Sequence, residues 1–124
     1  MAGKLVMVVD DEEDIRELLS AVLEKEKYDV ITACDGKDCL EKLKTSRPDL
    51  ILLDMMMPGL SGREVAESIR KNPKTKDIKI IFVTVARFSE IGKDILNSLK
   101  VSDYITKPFE NDELLERIKK TIES

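Results

Sequence analysis

Residues 50–62 read LILLDMMMPGLSG. Four aliphatic residues, Leu50–Leu53, run without alternation, which suits a strand covered on both faces. They stop at Asp54, and three methionines, Pro58 and a glycine-bearing turn follow. A carboxylate is costly to bury unpaired, so its place at the end of such a strand calls for a reason. Leu5–Val9, Asp29–Ala33, Ile78–Val83 and Val101–Ile105, rich in Val, Ile and Leu and in several cases apolar without alternation, are read as four further strands.

Between the strands apolar residues recur at helical spacing. Ile15, Leu18, Leu19, Val22 and Leu23 fall on one helical face, as do Leu114, Leu115, Ile118 and Ile122. Asp35-Gly36 opens a helix with Leu40 and Leu43 facing inward. Ser61 and Glu64 form a capping box ahead of Val65, Ala66 and Ile69, and Asn72-Pro73 ends that helix. A weaker helical pattern, resting on Ile91, Ile95 and Leu99, covers about Ser89 to Leu99. Five βα units in series, (βα)5, predict an α/β fold: an open, doubly wound, five-stranded parallel sheet with helices on both faces. A chain of 124 residues is too short for an eight-stranded barrel, which takes about 250.

Composition narrows the function. With 42% hydrophobic and 37% charged residues the chain reads as a single soluble globular domain over 1–124. A formal charge of −4 argues against direct nucleic-acid binding, and no apolar run approaches the roughly 20 residues of a membrane span. Acidic residues arrive before any signal-like region develops, so a cytoplasmic location is expected. There is no histidine, which excludes imidazole acid–base chemistry and Ser-His-Asp triads. Cys34 and Cys39, five residues apart, match neither a redox CxxC pair nor a zinc half-site and read as thiols in a reducing compartment.

In open α/β sheets, sites form beyond the carboxyl ends of the strands. Here strand one ends in Asp10-Asp11, strand three in Asp54, strand four near Thr84, and strand five runs into Lys107-Pro108. Two like charges about 4 Å apart repel by about 4 kcal/mol at an effective dielectric near 20, and one lysine cannot neutralise three acids. Either their pKa values rise or a cation binds, and an all-oxygen site open to water suits Mg²⁺, with Mn²⁺ as an alternative. The competing reading of Asp10–Glu13 is a solvated acidic loop at a helix start. An ionised carboxylate held beside a divalent cation and a lysine is an oxygen nucleophile suited to phosphoryl transfer, with the Thr84 hydroxyl free to donate to a phosphoryl oxygen.

The motifs VVDDEED, LLDMMMPGLSG, FVTVA and DYITKPF, in that order over essentially the whole chain, resemble the receiver domain of two-component response regulators, the chemotaxis receivers among them. The resemblance implies a flavodoxin-like sheet of order 2-1-3-4-5. It also implies Asp54 as phosphoacceptor and Asp10, Asp11, Asp54 and the Met56 backbone carbonyl around Mg²⁺. Lys107 would pair with the phosphoryl group, and Thr84 and Tyr104 would act as switch residues. By the same likeness Lys107-Pro108 is cis and the output face is helix four, strand five and helix five. The phosphodonor would be a sensor histidine kinase or phosphotransfer protein, the output a downstream protein target, with phosphorylation-dependent homodimers as a further expectation. Such a protein is a signalling phosphoacceptor and no enzyme in the usual sense. Two positions depart from the family pattern: Val85 stands where a small residue is common and Met56 where a polar one is, so a phosphoryl-aspartate slow to hydrolyse is expected.

Three other readings compete. A haloacid-dehalogenase-like phosphatase would carry its nucleophile after strand one in a DxD pattern, where this chain has DDEED. A scaffold that has lost activity would not need the full set Asp10, Asp11, Asp54, Thr84 and Lys107. A flavin carrier would want a phosphate cradle in place of the acidic first loop. The cognate kinase, the output and whether further domains belong to the native protein are left open by the residues.

Overall fold

In a computed structural model describing residues 3–85 and 92–124, five strands form one parallel sheet of order β2-β1-β3-β4-β5. The strands are β1 (Leu5–Val9), β2 (Asp29–Ala33), β3 (Leu50–Leu53), β4 (Lys79–Thr84) and β5 (Asp103–Thr106). The described helices are α1 (Glu13–Lys25), α2 (Gly36–Lys42), α3 (Gly62–Lys71), α4 (Lys93–Ser98) and α5 (Asn111–Glu123). The expected flavodoxin-like α/β architecture and strand order are therefore present.

Successive strand side chains point to opposite faces, so unbroken apolar runs feed two cores. Val6, Val8, Leu50, Leu52, Ile81, Val83 and Ile105 pack with Leu19 and Leu23 of α1 and Leu114 and Ile118 of α5. Met7, Val9, Ile51, Leu53, Ile80 and Phe82 pack with residues of α2, α3 and α4. All four residues of β3 are buried, at 1% exposure or less. Each contributes about 1.5–3 kcal/mol by leaving water, and the strand so enclosed is a firm base for the residue after it.

Local chemistry sets the helix starts. The Asp35 carboxylate accepts the Asp38 amide at 2.7 Å, and in α3 both halves of the expected capping box form, at 3.2 and 3.0 Å. At α1 the cap residue Glu12 makes no side-chain cap bond, and the acids Glu13 and Asp14 face the positive end of the helix dipole instead.

Three expectations need correction. Leu18 is 43% exposed: at about 100° per residue it lies some 120° around α1 from the midpoint of the buried Leu19 and Leu23. Strand four begins at Lys79 and ends at Thr84, because the Ile78 amide turns back to the Thr75 carbonyl. Strand five begins at Asp103, because the Val101 amide is spent closing α4 on the Leu96 carbonyl. Of the Ser89–Leu99 helix, Ser89 and Ile91 lie outside the described residues. The remainder is helical over Lys93–Ser98, with Leu96 and Leu99 buried.

The thiols differ in environment. Cys39 is buried with its Sγ 3.7 Å from the Met7 sulfur, and burial, with Asp38 adding to it, pushes its pKa up to about 12. Cys34 is exposed.

Helices α1 and α4 end alike, in a Schellman arrangement with a lysine in the left-handed region: Lys27 at φ 72° and Lys100 at φ 54°. At the first, Lys27 N bonds to Glu24 O and Tyr28 N to Leu23 O, both near 3 Å. A β-carbon costs about 1–2 kcal/mol in that conformation, part of which glycine gives back through a more flexible unfolded chain. Lys27→Gly is therefore expected to stabilise the fold by about 0.5–1 kcal/mol, read as a higher urea midpoint at unchanged slope.

Candidate functional site

The sheet register brings the acids together. Val9 pairs with both Ala33 and Leu53, and one residue further along, Asp10 N bonds to Ala33 O at 3.2 Å while Asp54 N bonds to Val9 O at 3.0 Å. Lys107 N is held in the same way by Thr84 O at 2.9 Å. Each site residue thus sits on a final backbone rung of the sheet and inherits its rigidity. The Lys107-Pro108 bond is cis.

Lys107 lies at the centre of the charges. Its ammonium is 2.6 Å from Asp10 Oδ2, 3.3 Å from Asp54 Oδ2 and 3.6 Å from Glu12 Oε1. Its side chain is 8% exposed, and Asp10 and Asp54 are buried beside it. Burial alone would lower the Lys107 pKa, but the hydrogen bond to Asp10 and the charges of Asp54 and Asp10 outweigh it, so the net shift is upward. The lysine is a full cation throughout neutral pH.

Met56 N reaches Asp54 Oδ1 at 3.1 Å and Lys107 Nζ reaches Oδ2 at 3.3 Å, and the buried Thr84 hydroxyl lies near enough to favour the ionised carboxylate. Desolvation nevertheless raises its pKa. The Met56 amide, Lys107 and Thr84 pull it down without cancelling that shift, and Asp10 adds to the rise. Oxygens of Asp10, Asp11 and Asp54 lie within 4.8 Å of one another, with Asp11 exposed. Ligands on one Mg²⁺ at about 2.1 Å are at most about 4.2 Å apart. The three carboxylates therefore fit one hard cation if they close slightly or if one of them binds through water. The donor set is all oxygen, and the local charge, four carboxylates against one lysine, favours a divalent ion.

Of the remaining expected residues, Tyr104 is half-buried, its ring against the α2–α3–α4 core and its hydroxyl oxygen shielded from solvent. Its carbonyl accepts Arg117 at 2.8 Å, and Arg117 also pairs with Asp103 and Glu113. Met56 and Val85 are 56% and 60% exposed.

Three contributors escaped the sequence reading. Glu12 turns toward Lys107. Arg16 donates to the Asp10 carbonyl at 2.8 Å, bracing the acidic loop from α1. Gly62, at the start of α3, packs against the backbone of Asp54: a β-carbon there would stand 2.2 Å from the Asp54 carbonyl oxygen and 2.7 Å from Met55 Cα. Only the glycine in the motif itself hinted at this. Gly59, at φ 76°, makes the turn that brings α3 back to that contact.

A family model described as the response regulator receiver domain matches residues 6–119. Among solved structures, the chain is similar to chemotaxis protein CheY4 of Vibrio cholerae, with 30% identity and TM-score 0.90 over 97% of this chain and 99% of that one. It is also similar to response regulator TrrA of Thermotoga maritima, solved in complex with Mg²⁺-BeF, with 45% identity and TM-score 0.82 over 95% and 98%. A receiver domain of a Francisella response regulator matches at 30% identity and TM-score 0.87 over 98% of each chain. The chain belongs to the response regulator receiver family of two-component systems.

Two outcomes follow from the geometry. Because the folded Asp54 pKa is raised, its ionised form opposes folding. That penalty is absent below the ordinary carboxylate value and complete once pH exceeds the folded value. Without divalent cations, Asp54→Asn is expected to raise stability by about 1–3 kcal/mol at neutral pH, the gain fading as acid protonates the wild-type side chain; urea titrations at several pH values measure it. Gly62→Ala is expected to cost about 2 kcal/mol or more and to weaken Mg²⁺ binding by displacing Asp54, read by thermal shift with and without the metal.

Proposed function

We propose that residues 1–124 act as one phosphoacceptor unit in which Asp54 takes a phosphoryl group from the phosphohistidine of a sensor kinase or phosphotransfer protein. The supporting observation is the Asp54 carboxylate, fixed at the end of a fully buried strand with a lysine, a hydroxyl and two further carboxylates around it. An Asp54 oxygen forms the new O–P bond as the P–N bond to the donor histidine breaks, and the imidazole leaves with the electron pair and takes up a proton. No general base is needed, since an ionised carboxylate has no proton to lose on attack.

Asp10, Asp11, Asp54 and the Met56 carbonyl would hold Mg²⁺. When bound, the ion neutralises carboxylate repulsion and charge on the phosphoryl oxygens. Lys107, released in part from Asp10, pairs with the incoming group, and Thr84 transfers its hydrogen bond from the carboxylate to a phosphoryl oxygen. Thr84 and Tyr104, both on the β4–β5 side of the site, carry that change to the face formed by α4, β5 and α5, which meets a downstream protein or a second copy. The setting is the cytoplasm. Hydrolysis of the acyl phosphate by water returns the domain to its starting state, and Met56 and Val85 at the mouth of the site slow it.

Incubation with acetyl phosphate and Mg²⁺ is expected to add the mass of one phosphoryl group, and Asp54→Ala or omission of the metal to abolish it. Failure of the wild-type protein to gain mass, or a gain that persists in Asp54→Ala, would refute the assignment. Multiple turnover on small phosphate esters would point to a hydrolase. Lys107→Ala is expected to gain the mass yet signal poorly. Replacing Met56 and Val85 together by alanine is expected to shorten the lifetime of the modified form, followed by the decay of the added mass after donor removal.

A further inference from the structure

Arg70, one residue from the end of α3, donates to four backbone carbonyls. Its Nε lies 2.6 Å from Leu99 O, one terminal nitrogen is 2.9 Å from Lys76 O and 2.7 Å from Ile78 O, and the other is 3.2 Å from Lys100 O. A guanidinium carries five donors in a rigid planar fork, and here that fork joins α3 to the approach to β4 and to the carboxyl end of α4. Carbonyls at a helix end lack partners within the helix, and Arg70 satisfies two just past the end of α4.

Among the described residues, the bonds at the two ends of α4 differ. At the carboxyl end, Lys100 N bonds to Asn97 O at 3.1 Å, Val101 N to Leu96 O at 3.0 Å and Ser102 N to Ile80 O of β4 at 2.8 Å, with Arg70 over the same corner. At the amino end, Gly92 at φ 89° caps the helix without a side-chain bond, and the bond from Leu96 N to its carbonyl is 3.3 Å. A helix of six residues does not sustain itself by its own hydrogen bonds, so its external anchors decide where it can move.

We propose that Arg70 is a positioning residue that makes the Leu99–Ser102 corner a fixed pivot, so that a change at Asp54 displaces α4 at its amino end while the start of β5 stays in place. This rests on the reading of Asp54 as phosphoacceptor. Asp54 directly follows β3, which pairs with β4 along its length, and the pinned corner is tied to β4 at Ile80. A signal travelling along β4 therefore meets a carboxyl end of α4 that Arg70 and β4 hold in place.

The test is amide NMR of the wild-type protein, Arg70→Met and Arg70→Lys, each with and without Mg²⁺ plus beryllium fluoride. In the wild-type protein, ligand-induced shifts are expected near Gly92 and Lys93 but not at Lys100, Val101 and Ser102, whose amides exchange slowly. In Arg70→Met, those three amides are expected to lose at least tenfold more protection than the amides of β1 and β3, and the ligand-induced shifts to spread through Asp103. Arg70→Lys, which keeps the charge but not the fork, is expected to behave like Arg70→Met, and it carries the comparison if the methionine variant does not fold. A uniform loss of protection with an unchanged shift map would reduce Arg70 to a general stabiliser and overturn the proposal, as would wild-type shifts already crossing Leu99–Ser102. Absence of any ligand-induced shift around Asp54 in the wild-type protein would instead sink the phosphoacceptor reading, and the pivot with it.

Discussion

The ammonium of Lys107, between Asp10 and Asp54, allows a rigid parallel sheet to end in crowded carboxylates. Each acid follows a strand buried on both sides, so none can swing far to relieve repulsion. Without the lysine, two desolvated anions would face one another across the β1–β3 boundary, and such unpaired buried charge is among the more damaging changes a fold can undergo. One lysine is nevertheless too little for Asp10, Asp11, Glu12 and Asp54 together. The surplus negative charge makes the site a receptor for cations, while burial, with the charge of Asp10 adding to it, keeps the pKa of Asp54 raised.

Rigidity beneath Asp54 comes from both directions. Leu50–Leu53 fix the chain before it, and Gly62 packs against it from α3, so the carboxylate is set by contacts that leave no room for a methyl group. Thr84 serves the site twice: its carbonyl holds the Lys107 amide and its buried hydroxyl lies beside the Asp54 carboxylate. Any rearrangement that draws the hydroxyl elsewhere is thus felt at the neighbouring strand through the same residue. The chemistry and the surface beside it are joined by covalent adjacency.

Much of this was legible before any coordinates. Buried parallel strands show as unbroken Val, Ile and Leu runs, and the acids and the lysine stand out because each terminates such a run. The ends of β4 and β5 were less legible, since Ile78 and Val101 are as apolar as true strand residues and only the destination of their amides excludes them from the ladder. Arg16 and Arg70 were invisible for a related reason. Arginines on amphipathic helices look like solvated surface, and their partners are backbone carbonyls, which leave no pattern in the side chains. Leu18 erred the other way: it has the right periodicity but lies on the flank of the stripe.

The contrast between the two thiols has a practical side. With Cys39 enclosed beside Met7 and its proton firmly held, a maleimide dye would attach to the exposed Cys34 alone. Cys34 directly follows Ala33, whose carbonyl supports the Asp10 amide. The unaltered chain therefore offers one position for an optical reporter a single residue from the backbone that shapes the acidic cluster, with no engineered cysteine.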